Sequence, residues 1–325
     1  MLPLLLAFIS AIPPYATTPD QCWLRDAAST HGGAVFLLCE QGVLFKSKGL
    51  SEWESIQIPA PDGLRAIHFL DESRGVVVGD SGLVMITSDG GRTWEKRPSG
   101  TREHLTTVYG AGSEVWAGGY GGVILHSDDA GLTWKSQQTF TSAAVESLYF
   151  LDEYHGWAAG WHGLLLRTSD GGNSWQQVTV PGLWEALSAI RFRDPQCGCA
   201  VGMYGLLLCT RDGGTTWLRQ PIGTRSWLTS LDFGPDGTAW IAAEYQVLRS
   251  EDCGETWQVL PHDSATAVTR VLATQQSVLA VGPAFLLTRP RNESSWLRTN
   301  LDEIVQSAGL RPREEKAMQI SGGPS

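Results

Sequence analysis

The sequence is short of charge and shorter still of lysine. Only 18% of its 325 residues are Asp, Glu, Lys or Arg, and five lysines stand against 19 arginines. What charge there is sums to −10. That balance excludes general nucleic-acid binding, which needs a basic surface to displace counterions from phosphate. The preference for Arg favours fixed, planar, bidentate contacts over diffuse ones. Low charge combined with 37 Gly and 14 Trp excludes a long solvated helix or a disordered chain. It suits many short strands joined by tight turns.

Long apolar runs are also missing. Leu2 to Ile12 is too short to span a bilayer, and no later segment reads as a transmembrane helix. Residues 1–16 instead resemble a secretory signal peptide, although no Lys or Arg precedes the apolar run. The expectation is an exported chain. Cysteines number six: Cys22, Cys39, Cys197, Cys199, Cys209 and Cys253. Export permits them to pair, but so few in 325 residues do not make a disulfide framework. Cys22 with Cys39 is one candidate pair, and Cys197 with Cys209, on strands expected to be neighbours, is another. A zinc centre at Cys197, Cys199 and Cys209 lacks a fourth ligand at matching spacing. No glycine-rich phosphate loop follows a strand and opens a helix. No cofactor and no metal are expected.

What is present is a repeat. Thr87-Ser-Asp89-Gly-Gly91-Arg-Thr93-Trp94 recurs as Ser127 to Trp134, Thr168 to Trp175, Thr210 to Trp217 and Ser250 to Trp257. All five fit (S/T)-x-D-x-G-x-(S/T)-W, the Asp-box pattern. Worn copies end at Trp53 and Trp296. The seven box tryptophans are separated by 41, 40, 41, 42, 40 and 39 residues. Seven copies at this period read as seven four-stranded antiparallel blades, so the expected fold is an all-β seven-bladed β-propeller. Within a box, Gly allows the chain to reverse at positive φ. The Asp carboxylate can accept backbone N–H bonds inside the turn. A calcium loop would need a bidentate Glu and alternating oxygens, which are not there.

A second register supports the first. Trp157 corresponds to Trp116, Trp240, Phe36, Val76, Cys199 and Leu279, all apolar, which marks a core slot. An alternating strand lies upstream in each unit, as in Leu64-Arg-Ala-Ile67-His68-Phe69. Each blade therefore reads strand a, strand b, turn, strand c, Asp box, strand d. These units fill residues 20–299, leaving 300–325 as a surface tail, helical at most in part.

Antiparallel strands sort the loops onto two ends. The boxes join c to d, so they share an end with the a–b loops, and the b–c and d–a loops share the other. Turn tips normally carry small polar residues. Here the b–c turns carry Tyr120, Trp161, His162, Tyr204 and Tyr245. The d–a connections add Trp184, Trp227 and Arg225, with Phe140, His104 and His262. Aromatic and Arg side chains clustered on one rim are what anchors a protein partner. The simpler reading is that the rings fold over the channel mouth and cap the core.

Asp boxes also occur in sialidases, so a glycoside hydrolase is the alternative. The Arg-Ile-Pro signature is absent, Arg97-Pro98 follows a box and cannot replace it, and seven repeats differ from that family's six. Asp80, Glu103, Glu185 and Glu244 could reach the box-free end, where a carboxylate pair would have to converge.

Five copies run as apolar strand, Gly-turn-Gly, apolar strand and box. The clearest are Val78-Gly79 through Trp94, Ala159-Gly160 through Trp175, and Val201-Gly202 through Trp217. Over residues 24–299 this resembles the photosystem II stability and assembly factor family. The resemblance implies a non-catalytic, monomeric assembly scaffold outside the cytoplasm, in the periplasm, thylakoid lumen or extracellular space. Its partner would be a protein, such as a membrane-protein segment. That family carries an arginine patch, matched here only in part by Arg191, Arg193, Arg225 and Arg270 near the inner strands. The candidate binding residues are thus Tyr120, Trp161, His162, Tyr204, Tyr245, Trp184, Trp227, Arg225 and Arg191.

Overall fold

The computed structural model describes residues 22–60, 63–260 and 267–310. The expected signal peptide, His262 and the end of the tail lie outside them. Seven four-stranded antiparallel sheets form, each from one contiguous stretch: 24–57, 64–97, 105–137, 145–177, 187–219, 228–260 and 270–300. The seven-bladed β-propeller expected from the repeat is the observed fold. In blade four, strands a to d are Val145–Phe150, Gly156–Gly160, Leu165–Thr168 and Gln176–Gln177. Strand b is buried on both faces, as a central strand covered by neighbouring blades must be.

The core slot joins the blades. Phe36 stacks on Phe69 of the next blade at 3.9 Å, Trp116 on Phe150 at 3.5 Å and Trp157 on Phe192 at 3.9 Å. Offset aromatic pairs at such distances add about 0.5–1.5 kcal/mol beyond their burial. Each of these second-blade Phe rings lies over the glycine that opens its own strand b. A Cβ on Gly75, Gly156 or Gly198 would run into Phe69, Phe150 or Phe192.

Between blades five and six the aromatic stack is replaced by sulfur. Cys199 bonds Cys209 across strands b and c of blade five, and Cys197 bonds Cys253 in the box of blade six. The expected Cys197–Cys209 pair is therefore wrong. Cys209 lies directly opposite Cys199 in register, with 4.1 Å between their Cα atoms. Cys197, at the a–b loop, meets the neighbouring blade instead. Cys22–Cys39 forms as expected.

Among the described residues no strand is exchanged between the first and last blades, so there the ring closes by contacts between them. Leu24 donates its N–H to Pro283 O at 3.1 Å, and Arg270 reaches Asp26 at 3.0 Å. Outside this seam a short helix, Leu301–Ser307, follows blade seven. It buries Leu301 and Ile304 against Trp53 and Phe45 of blade one and Leu286 of blade seven.

Each of the five full boxes is a hydrogen-bonded knot. Asp89 accepts the Thr93 N–H at 2.9 Å and the Thr93 hydroxyl at 2.6 Å, while the Thr87 hydroxyl donates to it at 2.8 Å. The same Thr87 oxygen accepts the Gly91 N–H at 3.0 Å, and Trp94 Nε1 closes the turn on Gly91 O at 2.9 Å. The Thr93 hydroxyl, its N–H and the other donors hold the Asp89 carboxyl down at about 2. The box carboxyls of Asp212 and Asp252 also lie at about 2, their Thr donors outweighing burial. A depressed folded-state pKa stabilises above the unfolded value and loses that contribution as pH falls through the folded one. The fold should therefore lose stability on acidification from about pH 4 to about pH 2. Asp89→Asn should flatten that slope, as read from denaturant midpoints across the range. An unchanged slope would mean the boxes do not set acid stability.

Candidate binding face

The box-free end is assembled by paired turns. In blades two to five strand b ends in a glycine, and the next residue donates its N–H to a carbonyl of the preceding d–a linker. These bonds are Asp80 to Gly63 at 2.9 Å, Tyr120 to His104 at 2.9 Å, Trp161 to Ala144 at 3.0 Å and Met203 to Ala186 at 3.0 Å. A Cβ on Gly79, Gly119, Gly160 or Gly202 would collide with that carbonyl, so the Gly-turn-Gly signature exists to let this linker approach. At the other end, Gly90, Ala130, Gly171 and Gly213 of the boxes donate to Ser73, Ser113, Tyr154 and Gln196 of the a–b loops. Boxes and rim aromatics thus lie at opposite ends of the ring.

The rim aromatics differ in what they are free to do. Trp184 and Tyr204 are each 65% exposed, with ring centroids 5.9 Å apart, and Tyr245 is 51% exposed. His162 and Arg225 are exposed as well. Trp227 is at the margin of exposure and donates its indole N–H to Ser188 at 2.6 Å. Trp161 is half-buried and donates to Glu146 at 2.7 Å. Tyr120 packs edge-on to His104 at 5.5 Å and under the Arg65 guanidinium at 5.7 Å. The capping interpretation therefore describes Tyr120 and Trp161, whereas Trp184, Tyr204 and Tyr245 present free rings.

Arg191 is not with them. It lies near the far end of an inner strand, deep in the channel, bonded to Ser147 at 3.1 Å and Ile190 O at 2.7 Å. Burial, with Arg270 nearby, lowers its pKa. His68 at the equivalent level is held near 4, chiefly by burial and then by Arg191. This level is a buried polar layer, distinct from the rim.

Periodicity misses the residues that line the channel mouth. Val145 and Ser147 pair with Gly160 and Ala159, consecutive residues, so Glu146 is bulged out. The same shift bulges Arg25, Arg65, Ser188 and Thr229 in their blades. A bulge re-aims its side chain, and here it does so toward the mouth. The available signal was a break in alternation, plain as Ala66-Ile67 and Ala189-Ile190 but missing from blade four, where the pair is Ser147-Leu148. The mouth acids are mostly committed: Asp80 to Arg65 and His104, and Glu185 to Arg219 in a two-pronged pair at 2.9 and 2.8 Å. Arg219 holds the Glu185 carboxyl at about 2, and for Asp80 the same kind of pairing outweighs burial and lowers it. Neither is poised as a general acid, which needs a raised pKa.

Comparison of the sequence with known proteins points to one family. The photosynthesis system II assembly factor YCF48 family matches residues 45–141 and 175–269. The photosystem II assembly lipoprotein Ycf48 of Synechococcus is 31% identical over 88 residues, 26% of this chain and 26% of its own length. The chloroplastic photosystem II stability/assembly factor HCF136 of rice is 35% identical over 96 residues, 26% of this chain and 23% of its own. These matches span about a quarter of each curated relative's length. A solved structure described as YCF48 bound to D1 peptide superposes with a TM-score of 0.64 at 25% identity, covering 76% of this chain and 85% of that one. With the family's pattern matched over more than half its length, the chain belongs to the photosynthesis system II assembly factor YCF48 family.

Proposed function

We propose that this protein is a non-catalytic assembly scaffold that docks a protein partner, a segment of a membrane protein, on the face opposite the Asp boxes. The carrying observation is the Trp184–Tyr204 pair. Tyr204 combines 65% exposure with φ 58°. A bulky side chain in left-handed backbone costs on the order of 1–3 kcal/mol, and an exposed ring whose aromatic contact is Trp184 recovers little of that from packing. Such strain points to use. Trp and Tyr offer large contact area with few rotors to freeze, which suits them as anchors. A relative in complex with a D1 peptide supports a peptide-like occupant. Three disulfides accord with an oxidising compartment, and relatives named as a lipoprotein and as chloroplastic accord with export to a periplasm or lumen. The working unit is a monomer.

The test is site-specific photo-crosslinking. A crosslinker replacing Tyr204 should capture the partner, and one replacing Thr93 at the box end should not. Trp184→Ala with Tyr204→Ala, read by affinity pulldown because position 204 then carries no crosslinker, should weaken capture by roughly 30-fold, the loss of about 2 kcal/mol typical of an anchor, at an unchanged melting temperature. Capture from the box end, or undiminished capture by the double variant, would sink the assignment.

A further inference from the structure

Glu146 is a half-buried acid of the mouth whose charge finds no cation in contact among the described residues, a lack it shares with Glu103 and Glu244 of the rim. Asp80 has Arg65 and His104, Glu185 has Arg219, and Glu40 has Arg25 at 4.0 Å. Among the described residues no ion pair reaches Glu146. Its Oε1 accepts the Trp161 indole N–H at 2.7 Å, and no hydrogen bond among those residues engages Oε2. The bulge at this position swings the side chain away from the sheet and into the channel mouth. Burial raises its pKa, and the Trp161 indole N–H, followed by Arg65 and Arg25 from a distance, only partly offsets that. Those two guanidiniums are held by their own acids in blades one and two.

We propose that Glu146 is a receptor for an organic cation, a lysine or arginine side chain of the docked segment inserted into the channel mouth. This rests on the scaffold reading above and deepens it. A half-buried carboxylate without an ion-pair partner is less favourable until a cation arrives, and the arriving charge then gains a charge-assisted hydrogen bond to Oε2. The surroundings favour an ammonium or guanidinium over a metal ion. One carboxylate with an indole donor cannot supply the oxygen ligands calcium or magnesium needs, and no group of three metal-ligating side chains occurs among the described residues. Aromatic faces are close by. Trp161 is the carboxylate's own partner, and the N–H of Gly163 in the same turn donates to Glu185 O, next to Trp184, at 3.1 Å. Trp184 in turn meets Tyr204. A cation over such rings is further attracted. The exposed aromatic pair and the charged mouth then form one continuous surface: rings for the body of the segment, a carboxylate for one basic side chain.

The test needs no knowledge of the partner. The full chain is titrated with N-acetyl-lysine amide, N-acetyl-arginine amide and the uncharged N-acetyl-norleucine amide, following the Trp161 indole N–H resonance. The charged probes should shift it saturably and norleucine should not. Glu146→Gln keeps an oxygen to accept the indole N–H while removing the charge, and should weaken the charged probes at least about tenfold. Equal binding of norleucine, equal binding to the Gln variant, or no saturable shift overturns the proposal. Crosslinking at position 204 reports on docking independently, so docking without a cation response would retire the Glu146 receptor and leave the scaffold standing.

Discussion

Trp116→Ala should lower the melting temperature by roughly 10 °C, the consequence of losing about 3–5 kcal/mol from a buried aromatic position. Trp116 is fully buried between two blades. Its ring stacks on Phe150 at 3.5 Å and on His126 at 5.1 Å, and its indole N–H donates to Gly171 O in the box of blade four at 3.0 Å. One side chain therefore links the core of blade three to both the inner strand and the box of its neighbour. Alanine would leave a cavity that the rigid sheets cannot close. Trp116→Phe should keep part of the stack while losing the hydrogen bond and the second ring of the indole, at a smaller cost, nearer 1–2 kcal/mol. Equilibrium unfolding of the two variants compares these losses. A Trp116→Ala protein within about 1 kcal/mol of the parent would show that the blades do not depend on these stacks.

The second large effect is expected at the sulfur seam. Cys197–Cys253 closes a loop with a sequence separation of 56 residues and ties blade five to blade six. Constraint of the unfolded chain at that length amounts to about 4 kcal/mol. Cys253 sits at φ 59°, where three other boxes place Gly90, Gly171 and Gly213. That conformation costs a non-glycine residue on the order of 1 kcal/mol, so the bridge is held in spite of its backbone. Cys197→Ser with Cys253→Gly removes the bridge and the strain together, and should lose about 3 kcal/mol net. Cys197→Ser with Cys253→Ala removes the bridge alone and should lose more. If the Gly variant is as stable as the parent, the bridge is not what holds this seam, and the residual contacts of Phe233 and Trp257 with the Cys199–Cys209 pair would have to suffice.

Much of this architecture is legible in the sequence because the box is local. Thr87, Asp89, Gly91, Thr93 and Trp94 satisfy one another within eight residues, so their spacing already states the turn. The core slot is legible for a related reason: every blade must bury its strand b on both sides. The helix at Leu301–Ser307 was less so. Its seven residues carry only Leu301 and Ile304 to the core, too short a pattern to distinguish from a tail. The candidate site was legible as a rim but not as a surface. Trp161 and Trp184 look alike in the chain, yet one is pinned to Glu146 and the other stands free.

The repeat alone determined the number of blades, the order of strands within each and the end at which every turn emerges, because period and alternation are properties of the chain itself. Three things waited for the ring to close. Cys197 found Cys253 rather than Cys209 because adjacency between blades brings together residues far apart in sequence. Arg191 sank into the channel because its place along an inner strand, not its residue type, sets its depth. Glu146 reached the mouth without an ion pair because a one-residue bulge overrides alternation, and a bulge exists only when two strands are laid side by side.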